Sequence, residues 1–191
     1  PSGMSDDQEL VSAVLAREAG AFERLVARHQ KLVWHLVYRM VQHPEDAREL
    51  CQDVFFRVHE RLNQYRFESA LSTWIGRVAF SVATRHLQKK KLPMVEPAAD
   101  DEGGPAWEGV SDGFDLEAAC ADNEVMGLLG DAIEKLPVIQ RTLVTLYHLE
   151  EMPIGDIASV TGLPEGTVKN YLFRARSRLR QLLEVRMGVA A

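Results

Sequence analysis

The sequence predicts an all-α protein of two small helical domains joined by a flexible acidic linker. Three observations predict it. Apolar residues recur at three- and four-residue spacing over residues 5–90 and again beyond about residue 116, the period of helices with one buried face. Neither flank shows strand-like alternation or an Asn-Gly or Asp-Gly hairpin signal. Between them, Glu96 to Asp115 mixes proline, glycine and acids without an apolar period, a composition that buries too little surface to offset its ordering entropy. The expected domains are 1–95 and 123–191, with 96–122 as the linker.

The first helix is expected to start at Ser5, Asp6, Asp7 and Gln8, with Leu10, Val11, Val14 and Leu15 as its apolar stripe. A second covers about 21–42 and ends at His43-Pro44, because proline disfavours helix in the residue before it. Pro44-Glu45-Asp46 opens a third, with proline in the first turn and acids at the positive end of the dipole. It is expected to run to about Tyr65, burying Ala47, Leu50, Cys51, Val54, Phe55, Val58 and Leu62. A turn at Phe67–Ala70 leads to a fourth helix over about 72–90. The second domain is expected to hold helices over about 116–136, 138–149, 153–161 and 164–186.

At 191 residues, with 46% hydrophobic and 26% charged residues, the chain is neither fibrous nor wholly disordered. No run of 18 uncharged apolar residues occurs, and Pro1-Ser2-Gly3-Met4 lacks the regions of a signal peptide. The first three residues read as a cloning scar ahead of Met4, and the expected location is cytoplasmic. Cys51 and Cys120 have no Cys-x-x-Cys partners, so neither zinc nor a structural disulfide is expected. Cys51 reads as a small core residue.

The net charge of −6 conceals its own distribution. Residues 1–95 carry 14 basic and 11 acidic residues, and 123–191 carry eight of each. Residues 96–122 carry nine acids and no base. Trp107 and Phe114 stand out in this linker, either to dock on a partner or to pack on a neighbouring domain.

From Pro153 to Arg180 the residue types meet the steric demands of a helix-turn-helix. Ala158 is small where two helices cross, Gly162 supplies the turn and Pro164 pre-sets the second helix. Ile154, Ile157, Leu163 and Val168 form its small core, and Val168, Leu172, Ala175, Leu179 and Leu182 the buried side of the second helix. The opposite side shows Lys169, Asn170, Phe173, Arg174, Arg176 and Arg180. Residues 164–181 hold five bases and one acid, the footprint of a major-groove helix. Gly166 and Thr167 at its start can offer backbone N–H groups to a phosphate.

A second basic stretch, Arg77 to Lys91, holds five bases and no acid, with Tyr65, Phe67 and Trp74 just upstream. It suits single-stranded DNA, although a solvated helix end has the same composition. The third helix carries Asp46, Glu49, Asp53 and Glu60 opposite its apolar stripe, with Phe56 among them. Such a face fits a basic protein partner if Phe56 is exposed, and is only solvated if Phe56 is buried.

Asp46-Ala47-Arg48-Glu49-Leu50-Cys51-Gln52-Asp53-Val54-Phe55, Thr73-Trp74-Ile75, Leu163-Pro164-Glu165-Gly166-Thr167-Val168-Lys169 and Arg174-Ala175-Arg176, in this order, resemble the extracytoplasmic-function (ECF) sigma factors of bacterial RNA polymerase. The resemblance runs from about Leu10 to Leu183. It implies a transcription initiation factor with a region 2 bundle and a region 4 helix-turn-helix. Region 2 would bind the polymerase clamp helices through Asp46, Glu49, Gln52, Asp53 and Phe56. It would also capture the unpaired −10 strand through Phe67, Ser69, Ser72, Arg77, Ser81, Arg85, Lys89 and Lys90. Region 4 would read the −35 duplex through Gly166, Thr167, Lys169, Asn170, Tyr171, Phe173, Arg174 and Arg176, and dock on the polymerase flap. The linker would thread toward the RNA exit path, and an anti-sigma factor or other regulatory protein is an implied partner.

Three positions depart from the family's usual residues: Ser81 stands where asparagine is common, Arg85 where aspartate is, and Tyr171 where arginine is. Loss of a forked guanidinium at Tyr171 removes a bidentate guanine contact of about 1–3 kcal/mol, so an unusual promoter preference is expected. A stand-alone repressor would explain 153–180 but would leave the Asp46 face and the Arg77–Lys91 stretch without a role. No nucleophile elbow, phosphate loop or metal spacing is present, and the six histidines are scattered. No enzyme activity and no cofactor are expected.

Overall fold

A computed structural model describes residues 2–94, 123–186 and 188. Among these residues all regular structure is helical. They fall into two compact units, one running to Lys90 and taking in Ser159–Thr161, the other made of the remaining residues. The expected linker, with Trp107, Phe114 and Cys120, and the expected helical stretch 116–122 lie outside the described residues.

The first unit holds α1 (Ser2–Leu15), α2 (Ala21–Val41), α3 (Pro44–Arg61) and α4 (Leu71–Lys89). Gly20 precedes α2 at φ 79°, a left-handed conformation that glycine adopts without steric cost. Helix α3 starts on Pro44, and His43 caps it by accepting the Asp46 N–H on Nδ1 at 3.3 Å. It ends four residues earlier than expected: Leu62–Gln64 tighten into a 3₁₀ turn and Tyr65 is extended. The core is built by α2, α3 and α4, which pack on one another. Leu25, Val33, Leu36, Val37 and Met40 meet Ala47, Val54 and Val58, and Leu71, Ile75, Ala79 and Ala83 close the third side.

Two apolar assignments shift. Leu15 is 50% exposed and Ala13 is buried in its place, because Leu15 lies roughly 140° around the helix from Leu10. Cys51 and Phe55 are half-buried and do not belong to the sealed core of α3.

The second unit holds α5 (Asn123–Glu134), α6 (Val138–Val144), a π turn (Thr145–Leu149), most of α7 (Ile154–Thr161) and α8 (Glu165–Arg186). Pro137 separates α5 from α6 as the sequence predicts. The segment expected as one helix over 138–149 widens at its end, where the Glu150 N–H reaches back to the Thr145 carbonyl at 3.0 Å. Helices α5 and α6 pack against α8, whose buried strip is Val168, Leu172, Ala175, Leu179 and Leu183. Leu182, expected in that strip, is half-buried. Buried Arg141 donates from Nη1 to the Leu136 carbonyl at 2.8 Å, satisfying an acceptor just beyond α5.

His29 is buried on α2, and its Nε2 has no hydrogen-bond partner. Burial lowers its pKa, Asp7 pulls it partway back up and Arg28 lowers it further. The unfolded chain takes up this proton near pH 6.5 and the folded chain resists it, so stability falls as pH drops below that value. His29→Leu is predicted to lose less stability than the native chain between pH 7.5 and pH 5. Urea midpoints check this; equal losses in both chains would count against it.

Candidate nucleic-acid interface and docking groove

Three faces bring the sequence-predicted residues together. The first surrounds the start of α4. Tyr65 is buried, with the Phe67 ring 4.5 Å and the Trp74 ring 5.6 Å from its own. Its hydroxyl donates to the Ser69 carbonyl. Phe67 sits at φ 60°, a conformation that costs a bulky side chain of order 1 kcal/mol and persists only where surrounding contacts hold it. Phe67, Ser69 and Ser72 are half-buried along this turn.

From there α4 runs with one face in the core and another in solvent. Arg77, Ser81, Arg85 and Lys89 are all exposed, and their four-residue spacing sets them one turn apart, each about 6 Å further along the helix. The line suits a phosphate backbone. Lys90 differs, because its Nζ lies 3.8 Å from Asp46.

Asp46 is half-buried, and His86 Nε2 lies 3.5 Å from its carboxylate. Asp46 therefore joins the start of α3 to the end of α4, while Glu49, Gln52 and Asp53 remain exposed. Phe56 beside them is 65% exposed.

Phe56 rims an open groove of about 890 Å³ between α2 and α3. Phe22, Val26 and Trp34 supply the α2 wall, and Cys51 and Phe55 the α3 wall. Lys31 and Arg48 also line it. Helical period alone does not single out the α2 wall, although Phe22, Val26 and Trp34 repeat at multiples of four on a second strip beside the core strip. Burial pushes the Cys51 thiol up to about 11.

The third face is the helix-turn-helix. Gly162 takes φ 76° between α7 and α8 and returns its N–H to the Ala158 carbonyl at 2.8 Å. Of the expected small core, Ile157 and Val168 are fully buried, whereas Ile154 and Leu163 are half-buried. On α8, Gly166 and Asn170 are exposed and share a face with half-buried Phe173 and Arg174. Lys169 and Arg176 flank the buried strip on one side, and Thr167 and Tyr171 on the other. All four are half-buried. Arg180 is engaged by Glu184 at 3.1 Å.

A family model described as Sigma-70 region 2 matches residues 25–92, and one described as Sigma-70, region 4 matches 126–179. The RNA polymerase sigma-H factor of Pseudomonas aeruginosa is 31% identical over 184 residues, covering 93% of this chain and 94% of that protein. The ECF RNA polymerase sigma-E factor of Escherichia coli is also 31% identical, covering 91% and 92%. The chain belongs to the ECF sigma factors. It acts in promoter-specific initiation of transcription.

Two solved structures share the sigma factor's fold. CnrH, in complex with the cytosolic domain of CnrY, aligns with TM-score 0.62 at 23% identity, covering 94% of this chain and 97% of that one. RpoE from Bartonella quintana, in complex with the anti-sigma factor NepR, aligns with TM-score 0.58 at 20% identity, covering 87% and 99%. Among the described residues, no helix is long and apolar enough to cross a membrane, and no cluster of His, Cys, Asp and Glu is fit to hold a metal ion.

The raised Cys51 pKa leaves little thiolate near neutral pH. Alkylation of Cys51 by iodoacetamide at pH 8 is predicted to run about ten-fold or more slower in the folded sigma factor than in urea. Peptide mass spectrometry measures both rates. Equal rates would contradict the prediction.

Proposed function

We propose that the sigma factor binds core polymerase through the α2–α3 groove, its Gln52 and Phe56 edge, and the exposed Glu49 and Asp53 on the same helix. The occupant is the clamp-helix pair of the largest subunit. The observation that carries this reading is Phe56, a large aromatic left 65% exposed beside an apolar groove and exposed acids. An exposed aromatic that becomes buried on binding, with a polar and charged rim around it, is the usual anchor of an interface hot spot. Asp46 has a different part in this reading: its pairs with His86 and Lys90 hold the end of α4.

The turn around Phe67, Ser69 and Ser72 takes the unpaired −10 bases, and Arg77, Ser81, Arg85 and Lys89 track their backbone. Lys90 contributes charge at the end of that line. Helix α8 reads the −35 duplex: Asn170, Phe173 and Arg174 enter the groove, and Lys169 and Arg176 meet phosphates along one side. Gly166 and Thr167 approach a phosphate at the helix start, and Tyr171 makes the flank opposite Arg176. The 123–191 domain docks on the flap of the second-largest subunit, and the acids of 96–122 stand near the RNA exit path. The division at 1–95, 96–122 and 123–191 belongs to this reading.

The polymerase supplies the bond-forming chemistry, so the sigma factor needs no catalytic residue or cofactor of its own, and it works in the cytoplasm where its polymerase is. A regulatory protein competes for the same groove, making this a signal-responsive factor; the fold shared with RpoE in its anti-sigma complex supports that reading.

Phe56→Ala is predicted to weaken binding to core polymerase by about ten-fold or more. Glu49→Lys with Asp53→Lys should weaken it too, while leaving −35 duplex binding intact. Titration of labelled sigma factor with core measures both; native affinity in Phe56→Ala would overturn the assignment. Arg174→Ala should cost about 1–3 kcal/mol on a −35 duplex and relax preference at one base pair. An unchanged ranking across a panel of single-base variants would remove Arg174 from base readout.

A further inference from the structure

We propose that Asp7 of α1 is a positioning residue for capture of the unpaired −10 strand. The inference rests on the reading that the turn before α4 takes that strand. Helix α4 starts without a cap of its own, because Ala70 occupies the N-cap and makes no side-chain bond. The first backbone N–H groups of any helix have no intrahelical partner. The Ala70 carbonyl accepts from Thr73 and Trp74, at 3.0 and 3.1 Å, which leaves the Leu71 N–H to be satisfied from elsewhere. Asp7 Oδ2 accepts it at 3.0 Å in a part-buried contact, from 64 residues upstream.

That bond fixes where the DNA-facing turn begins. Ser69 and Ala70 lead directly into Leu71, and the Ser69 carbonyl is held by Tyr65, whose ring packs on Phe67 and Trp74. The Asp7 charge reaches this cluster: burial, and then Asp7, raise the Tyr65 pKa. The turn is thus pinned from two sides, by Tyr65 within the segment and by Asp7 from α1. A carboxylate at the positive end of the α4 dipole is favourable there. It also repels a phosphate from the start of α4, which leaves the backbone of the strand to Arg77, Arg85 and Lys89.

The test uses holoenzyme assembled from the full chain and core polymerase. Its probes are a labelled oligonucleotide carrying the non-template −10 strand of a promoter that the native holoenzyme opens, and the −35 duplex. Asp7→Ala should bind the −10 strand about five-fold more weakly, the effect of losing a typical N-cap acceptor. Asp7→Asn, which keeps an acceptor oxygen, should restore affinity to within about two-fold. Both variants should assemble with core and bind the −35 duplex as the native chain does. Native −10 affinity in Asp7→Ala would overturn the proposal, as would equal loss in Asp7→Asn. Parallel loss of −35 binding would also overturn it, by showing general destabilisation. A distinct pattern marks failure of the underlying reading and removes the proposal with it: native holoenzyme that does not prefer the −10 strand to a scrambled one, with Arg85→Ala indifferent to both.

Discussion

Mutual burial of one strip each from α2, α3 and α4 is the constraint on which the first domain depends. Those strips are almost fully sealed, with Leu25, Val33, Leu36, Met40, Val54, Val58, Leu71, Ile75 and Ala79 at or near zero exposure. Burying them sets the rotation of each helix about its axis, and rotation decides what every other residue faces. Arg77, Ser81, Arg85 and Lys89 form an exposed line because Ile75, Ala79, Val82 and Ala83 are held inward. Phe56 stands out from α3 because Val54 and Val58 do not. A register slip in α4 would rotate the basic line into the core, where charge is costly.

The same logic governs α8. Its strip from Val168 to Leu183 is locked against α5 and α6, and Arg186 ties its far end to Asp131 at 3.0 Å. The outward face of α8 is thereby presented by a packed helix, as a major-groove reader requires. Charge is distributed to match. Helix α4 carries three bases and no acid and α8 six bases and two acids, while the surplus of acids lies in 96–122. A whole-chain charge of −6 therefore describes neither helix.

Much of this was legible in the sequence, for identifiable reasons. Gly162 and Pro164 mark a turn that few other structures require, and the α8 strip declares its period. His43-Pro44 stops α2 by a local steric rule. What stayed hidden depends on partners distant along the chain. The Asp7 bond to Leu71 has no local signature, since an acid near the start of α1 reads equally well as part of its own helix start. The α2 wall of the groove is not legible in the sequence, because periodicity separates inward from outward residues but does not reveal that two outward strips meet. Cys51 and Phe55 share the apolar period of α3, yet face that groove instead of α4. Leu15 and Leu182 each lie at the edge of a buried arc, where helical spacing alone does not decide burial.

One chain is proposed to join polymerase docking to the reading of two separate promoter elements, one as duplex and one as unpaired strand. Run-off transcription with purified core polymerase over a randomised promoter library tests it most directly. Chain-dependent transcripts are expected from templates that share two separated elements, with initiation lost when either is scrambled. Transcripts that need only one element, or a library on which the chain adds nothing to core polymerase, would contradict it.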